Sequence, residues 1–280
     1  MADQPIRHIC GISGGKDSSA LAIYLRDTRP DLDLEYFFCD TGAELPETYE
    51  YLGKLEAVLG KPIERINAEK PFDHYFEMRR GMLPSPQVRW CTVDMKIKPL
   101  ERWVGEDECI SYVAIRADEA NRKGYVSTKA NIKPVFPFKE AGLRHDDIVK
   151  ILDGAGLGLP TYYEWRSRSG CYFCFYQRKA EWVGLADRHP ELFEKAVAIE
   201  KKQLADAGVD YDEYASENGY TWTGGETLEE LIARRDEILE QHRKRMERIK
   251  ASRKNLALVD VFSEALDAED DTPACTICAL

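Results

Sequence analysis

Residues 6–18 read Ile6-Arg7-His8-Ile9-Cys10-Gly11-Ile12-Ser13-Gly14-Gly15-Lys16-Asp17-Ser18. An apolar run leads into a serine and two glycines, and then into a lysine and an amphipathic pattern. Ile6 to Ile12 is a predicted strand, and Asp17 to Asp27 a predicted helix with Ala20, Leu21, Tyr24 and Leu25 on one face. Between them the glycines let the backbone turn tightly and approach a ligand closely. N–H groups at the start of the helix face an anion there, aided by the helix dipole. Lys16 adds a point charge, and the hydroxyls of Ser13 and Ser18 donate hydrogen bonds. Ser13, Gly14, Gly15, Lys16, Asp17 and Ser18 thus form a cradle for phosphate or pyrophosphate. It is not a Walker loop, because Cys10 stands where that pattern needs glycine and Asp17 where it needs serine or threonine. The plain alternative is an incidental glycine turn, which the strand–loop–helix context disfavours.

Outward from this segment, short apolar runs alternate with helical patterns. Leu34–Phe38, Ile63–Ile66 and Cys109–Ile115 read as strands; Pro46–Leu59 and Val93–Val104 read as helices. The alternation predicts an α/β fold, a parallel sheet with helices on both faces. Beyond about Pro160 the pattern turns mostly helical, near Lys179–Ala186, Pro190–Ala207 and Thr227–Lys250. The expected division is 1–165 as the nucleotide-binding part, 166–255 as a helical region opened by a Cys-x-x-Cys knuckle, and 256–280 as an acidic tail. Gly154–Leu159 is glycine-rich but reads as a loop. The 280 residues carry 44% hydrophobic and 32% charged side chains, an ordinary globular mixture that excludes collagen-like and wholly disordered classes. No run approaches the ~18–20 apolar residues of a membrane span. Met1 to Pro5 carries no signal-peptide pattern, so the expected setting is cytoplasmic, with no membrane partner. A net charge of −11 argues that any nucleic-acid contact is local or supplied by a partner.

Four more segments carry a resemblance. Cys39-Asp40-Thr41-Gly42 with Leu45-Pro46-Glu47-Thr48-Tyr49 follows the second strand. Trp90-Cys91-Thr92 precedes Lys96 and Lys98-Pro99-Leu100, and Ile115-Arg116-Ala117-Asp118-Glu119 precedes Arg122. Lys133-Pro134-Val135-Phe136-Pro137 leads to a helix near His145. With the glycine loop, these segments resemble the PAPS reductase-like ATP pyrophosphatases, the PP-loop or adenine nucleotide α-hydrolase-like group, over about residues 6–200. The resemblance implies a HUP-like sheet, with ATP and Mg2+ as cofactors and cleavage between the α and β phosphates. It places Asp40 and Thr41 at the nucleotide, beyond the carboxyl ends of the strands. It also sets Arg116 and Arg122 against phosphate or sulfate, for which a planar guanidinium is suited. The plain alternatives are a helix-capping turn for Asp40 and Thr41 and a solvated loop for the arginines.

Eight cysteines without a secretory pattern point to reduced, metal-bound or catalytic thiols. Gly170-Cys171-Tyr172-Phe173-Cys174 offers two thiolates, and a metal site usually wants four ligands. The resemblance supplies Cys91 as third ligand; the fourth is Cys275, Cys278 or none. An iron–sulfur cluster is the first expectation, zinc the second and unligated thiols the third. The terminal Cys275-x-x-Cys278 suits persulfide transfer or disulfide resolution, or is an unused end. Cys10, Cys39 and Cys109 lie in predicted strands and read as buried small hydrophobes. No histidine pairs at metal spacing, so all five, His145 among them, read as structural or solvated. Gln241–Lys254 is strongly basic, a solvated helix face or a nucleic-acid contact.

Sulfonucleotide reductases of this group end in a Glu-Cys-Gly-(Ile/Leu)-His motif that the tail lacks, and their cluster-bearing members have a cysteine pair where only Cys91 stands. Among sulfur-inserting relatives the resemblance is greatest to the DndC and SspD type component of DNA phosphorothioation. It implies adenylylation of an acceptor oxygen so that sulfur can replace it, with Lys16, Ser13, Ser18 and Asp17 catalytic. Asp17 would serve the helix start or a metal-bound water. A cysteine desulfurase would supply sulfur, and DNA or a DNA-binding subunit would be partner. The alternatives are a PAPS or APS reductase, a tRNA thiolation enzyme, or a nucleotide-binding subunit without turnover.

Overall fold

The computed structural model describes residues 5–119, 122, 129–206 and 221–252, with backbone alone for 203–206 and 249–252. Its sheet has five parallel strands: β1 (Arg7–Gly11), β2 (Leu34–Asp40), β3 (Ile63–Asn67), β4 (Cys109–Tyr112) and β5 (Ile132–Val135), ordered β3-β2-β1-β4-β5. The chain builds outward from β1 to β3, then crosses back to place β4 on the other side of β1. That reversal puts the loops after β1 and β4 side by side at the carboxyl edge, where ligands of open α/β sheets bind.

The α/β expectation holds. Helix α1 (Lys16–Thr28) follows β1 and α2 (Pro46–Leu59) follows β2, ending on Gly60 in the left-handed region at φ 66°. Helix α1 packs against both α2 and α7 (His145–Gly154). Leu21, Leu25, Phe38, Leu52, Leu55, Phe138, Ile148 and Leu152 close the core between them and the sheet. Burying such a layer is the main force holding the loops at the sheet's edge in register.

The structure departs from the sequence reading in several places. Strand β5 contains Pro134, which argues against a strand by pattern. It is accommodated because β5 lies at the sheet edge, where one missing N–H costs no ladder bond. Helix α3 (Phe72–Met78) carries no cap signal and was not expected. The helix expected over Val93–Val104 instead runs as α4 (Trp90–Thr92), a π-helical stretch Val93–Ile97, and α5 (Lys98–Val104), with Pro99 in the first turn of α5. Further on come α6 (Pro137–Glu140), α8 (Lys179–Arg188) and α9 (Pro190–Asp206). The long helix expected from Thr227 divides into α10 (Leu228–Ala233) and α11 (Arg235–Ser252). Arg234, between them, turns back to make paired bonds of 2.8 and 2.9 Å with Glu226.

Two compact units result: residues up to Glu69 together with Thr92–Gly170, and Lys70–Cys91 together with the described residues from Cys171 on. A single linear boundary at 165/166 misses that Lys70–Cys91 belongs with the later residues. Aromatic packing unites them: Phe72 lies 5.0 Å from Trp90 and 4.3 Å from Phe173, ring centre to ring centre. The tail 256–280, with Cys275 and Cys278, falls outside the described residues, as do Arg253 and Lys254 of the basic stretch. No helix among the described residues is long and apolar enough to cross a membrane.

Candidate functional site

In the first unit the turn after β1 has the shape its sequence demands. Gly14 sits at φ 74°, and a Cβ there would stand 2.6 Å from Thr48 Cγ2. A side chain is therefore barred both by backbone conformation and by the neighbouring helix. Gly15 is similarly close to Ser169, whose Oγ would lie 2.9 Å from an added Cβ.

The loop satisfies itself. Ser13 N donates to Ser18 Oγ at 3.0 Å, and Gly15 N to Ser13 Oγ at 3.3 Å. Lys16 N donates to the Tyr163 hydroxyl at 3.3 Å, while the Tyr162 hydroxyl donates to the Gly14 carbonyl at 2.7 Å. Ser169 Oγ donates to Ser13 Oγ at 3.3 Å. Backbone donors at a helix start are the groups an incoming anion takes over.

Charge is concentrated beneath the loop. Lys16 is 6% exposed, and its Nζ lies 3.2 Å from Asp17 Oδ2. Arg116, from the loop after β4, is 1% exposed. Its Nη1 donates to Asp17 Oδ1 and its Nε to Asp118 Oδ1, each at 3.0 Å. Burial pushes the Asp17 carboxyl up, but Lys16 and Arg116 outweigh it and hold the group well below the usual carboxylate range. Asp17 thus joins the loops after β1 and β4 across the topological switch. Both its oxygens already face cations, so in this arrangement it does not fit as a magnesium ligand. Arg122 donates to Glu119 Oε1 at 2.6 Å, and Glu119 Oε2 accepts from Arg116 N, continuing the same charged network.

At the end of β2, Asp40 Oδ1 accepts from Gly42 N and from the Tyr49 hydroxyl, both at 2.8 Å. The Thr41 hydroxyl donates to Glu44 at 2.8 Å. These bonds shape the Asp-Thr-Gly turn beside the loop after β1, so the turn-forming role is visible and a nucleotide role would be additional.

Sequence reasoning passed over Tyr162, Tyr163 and Ser169, which the structure brings to the loop, and read His145 as structural or solvated. Nothing in the spacing marks the first three, since 150 residues separate them from Ser13. His145 opens α7, is 5% exposed, and interacts electrostatically with Lys16, Arg116 and Asp17. Thr48 falls in the Pro46-Glu47-Thr48 signature already noted, and the structure sets it over Gly14.

The cysteines lie in the second unit. Cys174 N donates to the Cys171 carbonyl at 3.1 Å, closing the knuckle, and Gln177 Nε2 braces it on the Tyr172 carbonyl at 2.6 Å. Phe173 packs against Phe72 and Trp222, while Trp90 also stacks on Phe72 and carries Cys91 beside it in the chain. Cys91, Cys171 and Cys174 are all half-buried. Among the described residues no group of three or more His, Cys, Asp or Glu side chains is placed to hold a metal ion. Cys275 and Cys278, the expected candidates for a fourth ligand, lie outside the described residues. Burial pushes the thiols of Cys10, Cys39 and Cys109 up to about 12, as befits inert core positions. On α11, Arg243 and Lys244 pair with Glu240, so part of the basic face is balanced within its own helix.

The family profile of the phosphoadenosine phosphosulfate (PAPS) reductase domain matches residues 7–150, just over half of the chain. The chain belongs to that family. The match runs from β1 into α7 and so covers Lys16, Asp17, Arg116, Asp118, Glu119 and Arg122 of the loop network. An uncharacterized protein of Methanocaldococcus jannaschii is 28% identical over 65% of this PAPS reductase-family chain and 39% of its own length. The chain thus spans about two fifths of that relative. A tRNA-specific 2-thiouridylase of Haemophilus influenzae is 27% identical over 38% of the chain and 31% of its own length. The phosphate complex of PAPS reductase from Candida auris superposes with a TM-score of 0.46 at 14% identity, over 60% of this chain and 82% of that one.

Proposed function

We propose that the protein is an ATP pyrophosphatase that transfers AMP to an acceptor oxygen, which sulfur then replaces. The observation that carries this reading is the loop itself: a glycine turn that admits no side chain, a buried lysine, and backbone donors held by hydroxyls. Loop N–H groups now bonded to Ser18, Ser13 and Tyr163 would turn to the departing pyrophosphate, and Lys16 would exchange Asp17 for phosphate oxygens. Chemistry of this kind rests on positioning and charge rather than on a protein nucleophile. Arg116 and Asp17 hold Lys16 in place. Arg122, Asp40 and Thr41 line the same carboxyl edge of the sheet and are offered as nucleotide contacts. Magnesium travelling with ATP would take its oxygens from elsewhere than Asp17.

In the same proposal the acceptor is a DNA phosphodiester oxygen, as in phosphorothioate modification for phage defence. A cysteine desulfurase supplies sulfur, and Cys91, Cys171 and Cys174 handle it as thiols; no step is assigned to a cluster. Metal and sulfide analysis of anaerobically purified protein decides whether iron joins them.

Pyrophosphate release from ATP, with DNA and a sulfur donor present, tests the reading. Lys16→Ala is expected to lower the rate about 100-fold, the order of loss seen when one preorganised charge-stabilising donor is removed. An unchanged rate in that variant sinks the assignment. Pyrophosphate release also excludes a binding subunit without turnover. The family match favours a second reading, PAPS reduction, for which sulfite release from PAPS and thioredoxin without ATP is the sign. The thiouridylase similarity favours a third, for which bulk tRNA replaces DNA in the same assay.

A further inference from the structure

Outside the loop, one buried polar side chain stands out. His145 is 5% exposed, and its Nε2 is sealed from solvent with no hydrogen-bond partner among the described residues. Its other nitrogen, Nδ1, lies 3.5 Å from Asp146 Oδ1, a long and weak contact. Leaving a buried imidazole nitrogen unsatisfied costs stability, and native chains rarely keep such a group without a use for it. Helix α7, which His145 opens, packs directly on α1, which Lys16 and Asp17 open.

We propose that His145 is a phosphate-contacting residue of the loop site, its Nε2 donating to an oxygen of the bound di- or triphosphate and taking up a proton as the anion arrives. This rests on the phosphate-loop reading and adds a residue and a proton to it.

The charged groups around His145 are Lys16 and Asp17 on α1, Arg116 on the loop after β4, and Asp146 on α7. Burial, then Lys16 and Arg116, hold the imidazole below its ordinary value, against the opposing pull of Asp146 and Asp17. The empty site thus carries a neutral imidazole. A polyphosphate delivers several negative charges to the lysine that now repels a proton from His145. The balance reverses, one proton moves from solvent to the ring, and the new N–H finds the anion as its acceptor. Binding and protonation become one linked equilibrium.

The experiment uses inorganic pyrophosphate as probe and the full chain. Imidazole carbon and nitrogen resonances of His145, assigned through His145→Gln, are followed during titration near neutral pH. The expected result is a shift to the imidazolium position at saturation. By calorimetry, pyrophosphate binding to His145→Gln should weaken about tenfold, as for loss of one charge-assisted hydrogen bond. The variant should also take up less proton than the parent when binding is compared in buffers of differing ionisation enthalpy. If pyrophosphate binds in a Lys16-dependent manner while the ring stays neutral and the variant binds equally well, the role of His145 is overturned and the loop reading survives. If the parent does not bind pyrophosphate at all, the loop reading fails and takes this inference with it. Circular dichroism of His145→Gln checks its fold. Should it be misfolded, the ring shift in the parent decides alone.

Discussion

The Ser13–Ser18 loop and the Cys171–Cys174 knuckle are both short turns bearing reactive side chains, yet they are held in opposite ways. The loop is fixed by hydroxyls, backbone donors and a buried network running from Lys16 through Asp17 to Arg116. Its polar groups hold one another, and in the proposed reading an anion takes over donors now spent on hydroxyls and on Asp17. The knuckle is fixed by aromatic packing on Phe72 and Trp222, with its thiols left half-buried. Electrostatic preorganisation suits a site that must bind a fixed charge. Apolar support with accessible thiols suits exchange chemistry, where access and thiolate character set the rate.

The sharpest way to break this contrast is to remove the central charge of the loop. Arg116→Met leaves the half-buried Asp17 carboxylate with one cation in place of two. It is expected to cost about 3–5 kcal/mol, the usual penalty for breaking a buried pair from one side. Guanidinium denaturation measures it; a loss of under about 1 kcal/mol, typical of exposed pairs, would show that the network is not a brace. Next in size, Phe72→Ala removes the ring shared by Trp90 and Phe173, for about 3 kcal/mol by the usual cost of emptying an aromatic site. Pyrophosphate binding should survive while Cys91 and Cys171 react faster with a thiol reagent. Equal disturbance of both readouts would mean that the two supports are not separate.

The smallest effect concerns pH. Because burial, with Lys16 and Arg116, holds His145 below the ordinary histidine value of about 6.5, the unfolded chain takes up a proton there at higher pH than the folded chain does. The stabilising contribution is therefore complete above about 6.5 and declines as pH falls through the folded value. Unfolding midpoints followed from neutral to mildly acidic pH should fall more steeply in the parent than in His145→Gln. Parallel slopes would contradict the burial of a neutral imidazole.

Much of the first unit was legible in the chain because its signals are local. Pro46 and Gly60 bracket α2, apolar runs mark β1 to β4, and the two glycines announce the loop. Strand β5 was hidden because Pro134 obeys an edge rule that depends on knowing the strand order. The break at Arg234 was hidden because it depends on where Glu226 lies.

The sequence by itself determined the strand–loop–helix, the family and the residue types of the phosphate cradle, since each follows from neighbours along the chain. Only the tertiary structure decided that Asp17 is tied up between Lys16 and Arg116, that Tyr162, Tyr163 and Ser169 brace the loop, and that His145 stands beside it. It also decided that Trp90, next to Cys91, shares an aromatic core with the knuckle. Those relations join residues about 80 to 155 positions apart. They exist only once burial of the sheet and helices has brought distant segments together, because side-chain hydrogen bonds and ion pairs act over a few ångströms, whatever the spacing in the chain.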